Sequence, residues 1–298
     1  MIETVEGNYP ALSKLVSGTR RHVDGNPVLM PKTATYALGA QALRDSYARG
    51  ECPTHPLFTN VVRPLTFREN LEARVNDYEN NRGKKERLRL FNKWLDSCTG
   101  IAYKKGTDKF KIIPISPDLV TIPRDFNNHF IQVDYDGLAG TELDRSGGKY
   151  NQLLTTDEVL AHPAWRVAVE GDIALLRTYR DIVFAEKKSL NKLMRFWLHD
   201  DPNKDQLRAL FVNDLDYGSS AGGSNDLGDG GSFLRVAPSS PKELTPEERV
   251  LQKGRLSVFE GMEGGELSVI GESVGGLTVA DVTEEVFKPK RRRLFGIF

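Results

Sequence analysis

Cysteine is scarce: Cys52 and Cys98 are the two in 298 residues. They share no repeated spacing and no histidine at metal-ligand distance in sequence. That excludes a zinc ribbon or finger and argues against a disulfide framework. The expected state is two reduced thiols. No run of about 18 apolar residues occurs, so no membrane-spanning helix is expected. The start, MIETVEGNYPALSKLV, lacks a basic segment followed by an apolar one, so it does not read as a secretion signal. The expected location is a cytoplasm, that of the host if the source is a virus. Net charge is also missing: 41 Lys+Arg stand against 41 Asp+Glu. A generally basic or generally acidic protein is excluded, whereas local patches are not.

Familiar catalytic motifs are absent as well. No phosphate-binding loop, nucleophile elbow, HExxH or calcium loop is present. No cofactor is expected. The one carboxylate cluster is Asp134, Asp136, Glu142 and Asp144, in VDYDGLAGTELD. Carboxylates after a strand suit Mg²⁺ in a nuclease, yet Asp and Gly are also the ordinary residues of a solvated turn. The five histidines are scattered and suggest structural or surface roles.

What is present begins with helix signals. Ala34, Leu38, Ala42 and Leu43 fit a helix from Lys32 to about Ala48. Thr66 with Glu69 forms a capping box ahead of Leu71, Val75 and Tyr78. Leu88, Phe91, Trp94 and Leu95 predict a helix from Lys84 to Ser97. Segments 110–116, 118–122 and 129–136 read as strands, and 137–150 as a loop. Thr155 or Thr156 caps a helix that His162-Pro163 interrupts, and Asp172 to Lys188 gives another. Further helices are expected over 190–197 and 203–215. Residues 218–232 hold six glycines and four serines, a flexible-linker composition. The expected fold class is α+β: a mostly helical domain over 1–217 with a small antiparallel sheet, a linker over 218–232, and a tail over 233–298.

Charge is unevenly spread along the chain. Between Arg74 and Lys111 lie eleven basic and five acidic residues, a local excess of six positive charges. Tyr78, Phe91, Trp94, Tyr103 and Phe110 are interleaved with them. Cations that track phosphates and aromatics that stack on bases are the two ingredients of single-strand recognition. The expected contacts are Arg82, Lys84, Lys85, Arg87, Arg89, Lys93, Lys104, Lys105, Lys109 and Lys111, with Tyr103, Phe110 or Trp94 stacking. Phe91 and Trp94 also fit the apolar stripe of the predicted helix, which would place them in the core. A second basic stretch, Lys187 to Arg208, contains Lys187, Lys188, Lys192, Arg195 and Lys204 beside Phe196 and Trp197.

The tail carries only acidic charges from Gly261 to Phe287, then KPKRRR at 288–293 and LFGIF to the end. A glycine-rich linker, an acidic segment and a terminal Phe resemble the tails of single-stranded DNA-binding proteins, including those of bacterial viruses. The resemblance covers residues 218–298. It departs from that layout in the basic run before Phe298, and residues 1–217 show no five-stranded OB pattern. It implies a non-enzymatic protein that binds single-stranded nucleic acid, with DNA as the expected form. It further implies that the tail recruits a polymerase or other nucleic-acid enzyme; the basic and apolar residues of the tip, Lys288, Lys290, Arg291, Arg292, Arg293, Leu294, Phe295, Ile297 and Phe298, are the expected contacts. A homo-oligomer is expected. Two alternatives remain open: a virion structural or assembly protein that uses the tail as an arm, and a metal-dependent nuclease using Asp134, Asp136 and Glu142.

Overall fold

A computed structural model describes residues 26–49, 63–81, 83–188, 190–224 and 226–237. Arg82 and the tail residues from Lys288 to Phe298 lie outside the described residues. Strand β1 (Asn26–Leu29) leads to helix α1 (Tyr36–Ala48), capped by the Thr35 side chain. Helix α2 (Phe67–Asn80) opens on the expected capping box between Thr66 and Glu69, and α3 (Lys84–Arg87) is a single turn. Then come β2 (Leu95–Tyr103), β3 (Lys109–Ile113), α4 (Pro117–Val120), β4 (Ile131–Gln132) and β5 (Thr141–Asp144). Helices α5 (Thr156–Ala161), α6 (Pro163–Ala168) and α7 (Ile173–Glu186) follow. The described fold closes with β6 (Phe196–Trp197), β7 (Gln206–Val212), β8 (Ala221–Gly222) and β9 (Leu234–Ala237).

A seven-stranded sheet organises the molecule, in the order β5-β3-β2-β7-β8-β6 with β4 also pairing β7. It is mixed, because β6 runs parallel to β8 while the other pairs are antiparallel. The expectation of a mostly helical domain with a small antiparallel sheet is therefore corrected. Three predicted helices account for the error. Residues 95–97, 196–197 and 206–212 are strands, and 118–120 and 141–144 exchange strand and loop for a helical turn and a strand. Every residue of β2 and of β7 is buried. A strand covered on both faces shows no polar–apolar alternation, so QLRALFV reads as a helix face.

The period of two appears instead in where the side chains go. Ile101, Tyr103, Phe110, Ile112, Leu210 and Val212 enter one core, with Phe67, Leu71, Trp165 and Tyr179 from the helices. Ala102, Ile113, Leu207 and Ala209 point to the opposite face and meet Tyr36, Ala37 and Ala40 of α1, with Phe233. Helices thus cover both faces of the central strands.

The glycine-rich stretch is also not a linker in this fold. Ser219, Ser220, Ala221 and Leu227 are buried, β8 lies beside β7, and β9 pairs antiparallel with β1. The structured unit therefore extends at least to residue 237, past the expected boundary at 217. Gly231 shows why glycine is needed here: a Cβ at this position would overlap the carboxylate of buried Asp96.

Candidate functional site

The segment that carries the predicted stacking rings folds into the β2–β3 hairpin. Tyr103 and Phe110 sit opposite one another in its register, and both are fully buried. The Tyr103 hydroxyl donates to the Gly223 carbonyl at 2.9 Å, and burial pushes its pKa up. Neither ring is available to a base, which corrects that expectation. Both side chains point to the core face, as their period of two requires.

The hairpin lysines are occupied too. Strand β5 pairs with β3 so that Lys109 faces Asp144 and Lys111 faces Glu142. Lys109 Nζ lies 2.9 Å from Glu142, and Lys104 Nζ lies 2.7 Å from Asp136. Each lysine holds its partner carboxyl below the usual carboxylate range. Lys111 Nζ donates to the carbonyls of Tyr135 and Leu138, both at 2.9 Å, and lies over the Tyr135 ring. Of these four, Lys105 alone projects without a carboxylate partner or carbonyl acceptor for its side chain among the described residues. Of the carboxylates of the nuclease alternative, Asp136 and Glu142 thus serve as counter-ions, and Asp134 makes no ion pair among the described residues. Among the described residues, no group of three His, Cys, Asp or Glu side chains is placed to hold a metal.

A different surface gathers the remaining candidates. Arg87 pairs with Glu186 at 2.9 Å, which joins the turn α3 to the end of α7. Lys187 then pairs with Asp216 at 2.9 Å, which brings in the loop after β7. Gly218 of that loop packs against Leu193, next to Lys192. Two basic stretches about a hundred residues apart in sequence therefore share one face. Lys84, Lys85, Lys93, Lys188 and Lys192 are exposed on these segments. Among the described residues none of the five has a carboxylate partner. Arg89 is engaged elsewhere, paired with Asp77 at 2.8 Å and bonded to the Pro27 carbonyl.

Two exposed rings form a corner on this face. Trp94 stacks on buried Phe211 at 5.6 Å between centroids, with 21° between planes. Tyr217 stands edge-on to Trp94 at 5.7 Å and 87°. Trp94 is 37% exposed and Tyr217 65%. Beneath them, buried Arg74 donates to the carbonyls of Lys93 and Asn213 and to the Tyr179 hydroxyl. One guanidinium thereby ties both chain segments that carry the rings to helices α2 and α7. Sequence reasoning had Trp94 among the stacking candidates but missed Tyr217 and Arg74's anchoring role. No local signal marks either one.

Other buried ionisable groups lie away from this corner. Asp96 is desolvated, and its pKa is pushed up to about 7, with Lys32 opposing the shift and Asp229 adding to it. His162 links α5 to α6, stacks on Phe196 at 5.9 Å and meets Tyr150 edge-on at 4.8 Å. Burial pushes its pKa down to about 4. The Lys149 backbone approaches the ring, but neither ring nitrogen makes a hydrogen bond of normal geometry. Cys98 is a buried free thiol whose pKa burial raises to about 11.

No family model matches this chain, and no curated protein matches it. Among solved structures it is similar to a chain described under "Accommodation of massive sequence variation in Nanoarchaeota by the C-type lectin fold". The two are 16% identical, with a TM-score of 0.49 over 71% of this chain and 98% of that one.

Proposed function

We propose that this protein binds single-stranded nucleic acid without acting on it chemically, through the face built around Trp94 and Tyr217. The observation that supports the reading is convergence: two basic stretches meet around an exposed aromatic corner. Lys84, Lys85, Lys93, Lys188 and Lys192 have no competing carboxylates among the described residues and can neutralise phosphates. A base stacked on the exposed part of Trp94 would lie close to Tyr217. Each such ring contributes roughly 1–3 kcal/mol to single-strand affinity. Recruitment of a nucleic-acid enzyme by the segment 288–298 remains part of the proposal, and that segment lies outside the described residues.

The test is a fluorescence titration of the full-length protein with single-stranded oligonucleotides at low and moderate salt. Quenching of tryptophan emission and an affinity that falls with salt are expected. Absence of binding, or binding indifferent to salt, overturns the reading. The assembly alternative is favoured by the exposed Tyr217 beside Trp94. Light scattering separates the two: self-association abolished in a Tyr217→Ser variant, with no oligonucleotide bound, supports assembly.

A further inference from the structure

Trp94 and Tyr217 come from distant parts of the chain, yet one carboxylate touches the groups that orient both. Asp214 Oδ2 accepts the indole N–H of Trp94 at 3.0 Å. Its Oδ1 accepts the backbone N–H groups of Asp216 and Tyr217, each at 3.1 Å. The first bond fixes the rotation of the indole about its side-chain bonds. The other two close a turn of the Asx type, in which an aspartate side chain takes the place of a backbone acceptor. That turn aims the Tyr217 side chain.

The rest of the loop holds Asp214 itself in place. Its own carbonyl accepts the Ser219 N–H at 2.8 Å, and Asn213 N–H donates to the Ser220 carbonyl at 2.8 Å. Leu215 N–H donates to the Phe91 carbonyl at 2.7 Å. Gly218 and Ser219 both adopt positive φ, at 69° and 49°, so the chain reverses sharply after Tyr217. These bonds hold residues 213, 215 and 219 without the carboxylate, while the Trp94 indole and the backbone of Asp216 and Tyr217 bond to the carboxylate itself.

We propose that Asp214 is the positioning residue of the aromatic corner, setting the mutual orientation of Trp94 and Tyr217 before any ligand arrives. It need not touch a ligand: both its oxygens are engaged from within the protein. The proposal rests on the corner being a base-stacking site only for its consequence on affinity; the geometric part stands apart. A corner that is already formed saves the ligand the ordering of two aromatic side chains.

The experiment compares full-length wild type with Asp214→Ala, Asp214→Asn and Asp216→Asn. Two readouts are taken: the near-ultraviolet circular dichroism of the free protein, and affinity for a single-stranded oligonucleotide. Asp214→Ala is expected to weaken the aromatic dichroism of the folded protein and to reduce affinity about tenfold. Asp214→Asn keeps one accepting oxygen, so its loss should be roughly threefold. Asp216→Asn removes the exposed ion pair with Lys187 but leaves the backbone N–H that Asp214 accepts, so it should leave the dichroism unchanged. A folded Asp214→Ala with wild-type dichroism and affinity overturns the proposal. If Asp214→Ala does not fold, Asp214→Asn decides it on the same two readouts. If wild type binds no oligonucleotide, the functional reading falls, and the dichroism of the free variants still decides the role of Asp214.

Discussion

The β2–β3 hairpin and the Trp94–Tyr217 corner draw on the same sequence ingredients, lysines interleaved with aromatics, and use them in opposite ways. At the hairpin the rings point inward, and Lys104, Lys109 and Lys111 end on oxygen atoms of the protein. At the corner the rings face out and five lysines have no carboxylate partner among the described residues. The difference is one of neighbours. Strand pairing sets β5, with Glu142 and Asp144, directly across from Lys111 and Lys109, and opposite charges across a sheet attract. The turn α3 lies outside the sheet, so no such register supplies Lys84 and Lys85 with partners. A charge excess along the sequence therefore says little about a charged surface until the pairing is known.

The comparison breaks most visibly if a hairpin ring is removed. Phe110→Ala should cost about 3–5 kcal/mol of stability, as for other large buried aromatics, measured by denaturant unfolding. An effect on binding with stability intact would show that the hairpin is a contact surface after all.

Acid should act on the same side of the molecule. Tyr150 packs edge-on to both Phe110 and His162. His162 titrates near pH 4 in the fold, whereas an unfolded histidine titrates near 6.5, so the unfolded chain takes up the proton first. Its stabilising contribution is complete above about pH 6.5 and is lost as pH falls towards 4, amounting to about 3 kcal/mol. His162→Phe, which keeps the stack on Phe196, should flatten that part of the stability-versus-pH curve. An unchanged slope would mean that His162 is hydrated in solution.

At the corner the ranking reverses. Trp94→Ala should leave the fold within about 1 kcal/mol of wild type, because its ring is more than a third exposed. It should weaken oligonucleotide binding by about 1–3 kcal/mol. Equal loss of stability and of affinity would make Trp94 a packing residue rather than a ligand-binding one.

The smallest effects sharpen the contrast between lysines. Removing Lys84, Lys85 and Lys188 together should reduce the slope of log affinity against log salt by up to about 0.7 for each phosphate no longer neutralised. Replacing Lys104 and Lys109 should leave that slope unchanged, and exposed pairs of this kind contribute only about 0–1 kcal/mol to stability. A slope that follows the hairpin lysines instead would return the interface to the hairpin.

Local chemistry was legible from the sequence. The capping box of Thr66 with Glu69 forms as read, Thr155 of the two candidate caps starts the other helix in a box with Glu158, and the helix after Asp172 starts where its side chain caps Leu175 N–H. These signals act within one turn, so nearest neighbours suffice to specify them. Trp94 was legible as an aromatic among cations, though its predicted helix ends at Arg87 and the ring lies just before β2. By contrast, β2 and β7 were hidden by burial on both faces. The run 218–232 looked like a linker because glycine composition is the same whether a chain is free or must pass close to other groups. Gly231 against Asp96 and Gly222 against Phe211 are of the second kind.

By itself the sequence determined the helix starts, the scarcity of cysteine, the absence of net charge and the supply of basic and aromatic residues. Only the tertiary structure decided which lysines meet carboxylates, which rings reach the surface and which glycines are packed against. Those outcomes depend on residues more than a hundred positions apart meeting in space, as Asp96 meets Gly231. Burial and ion pairing are properties of such meetings, so the same basic–aromatic composition became core at the hairpin and open surface at the corner.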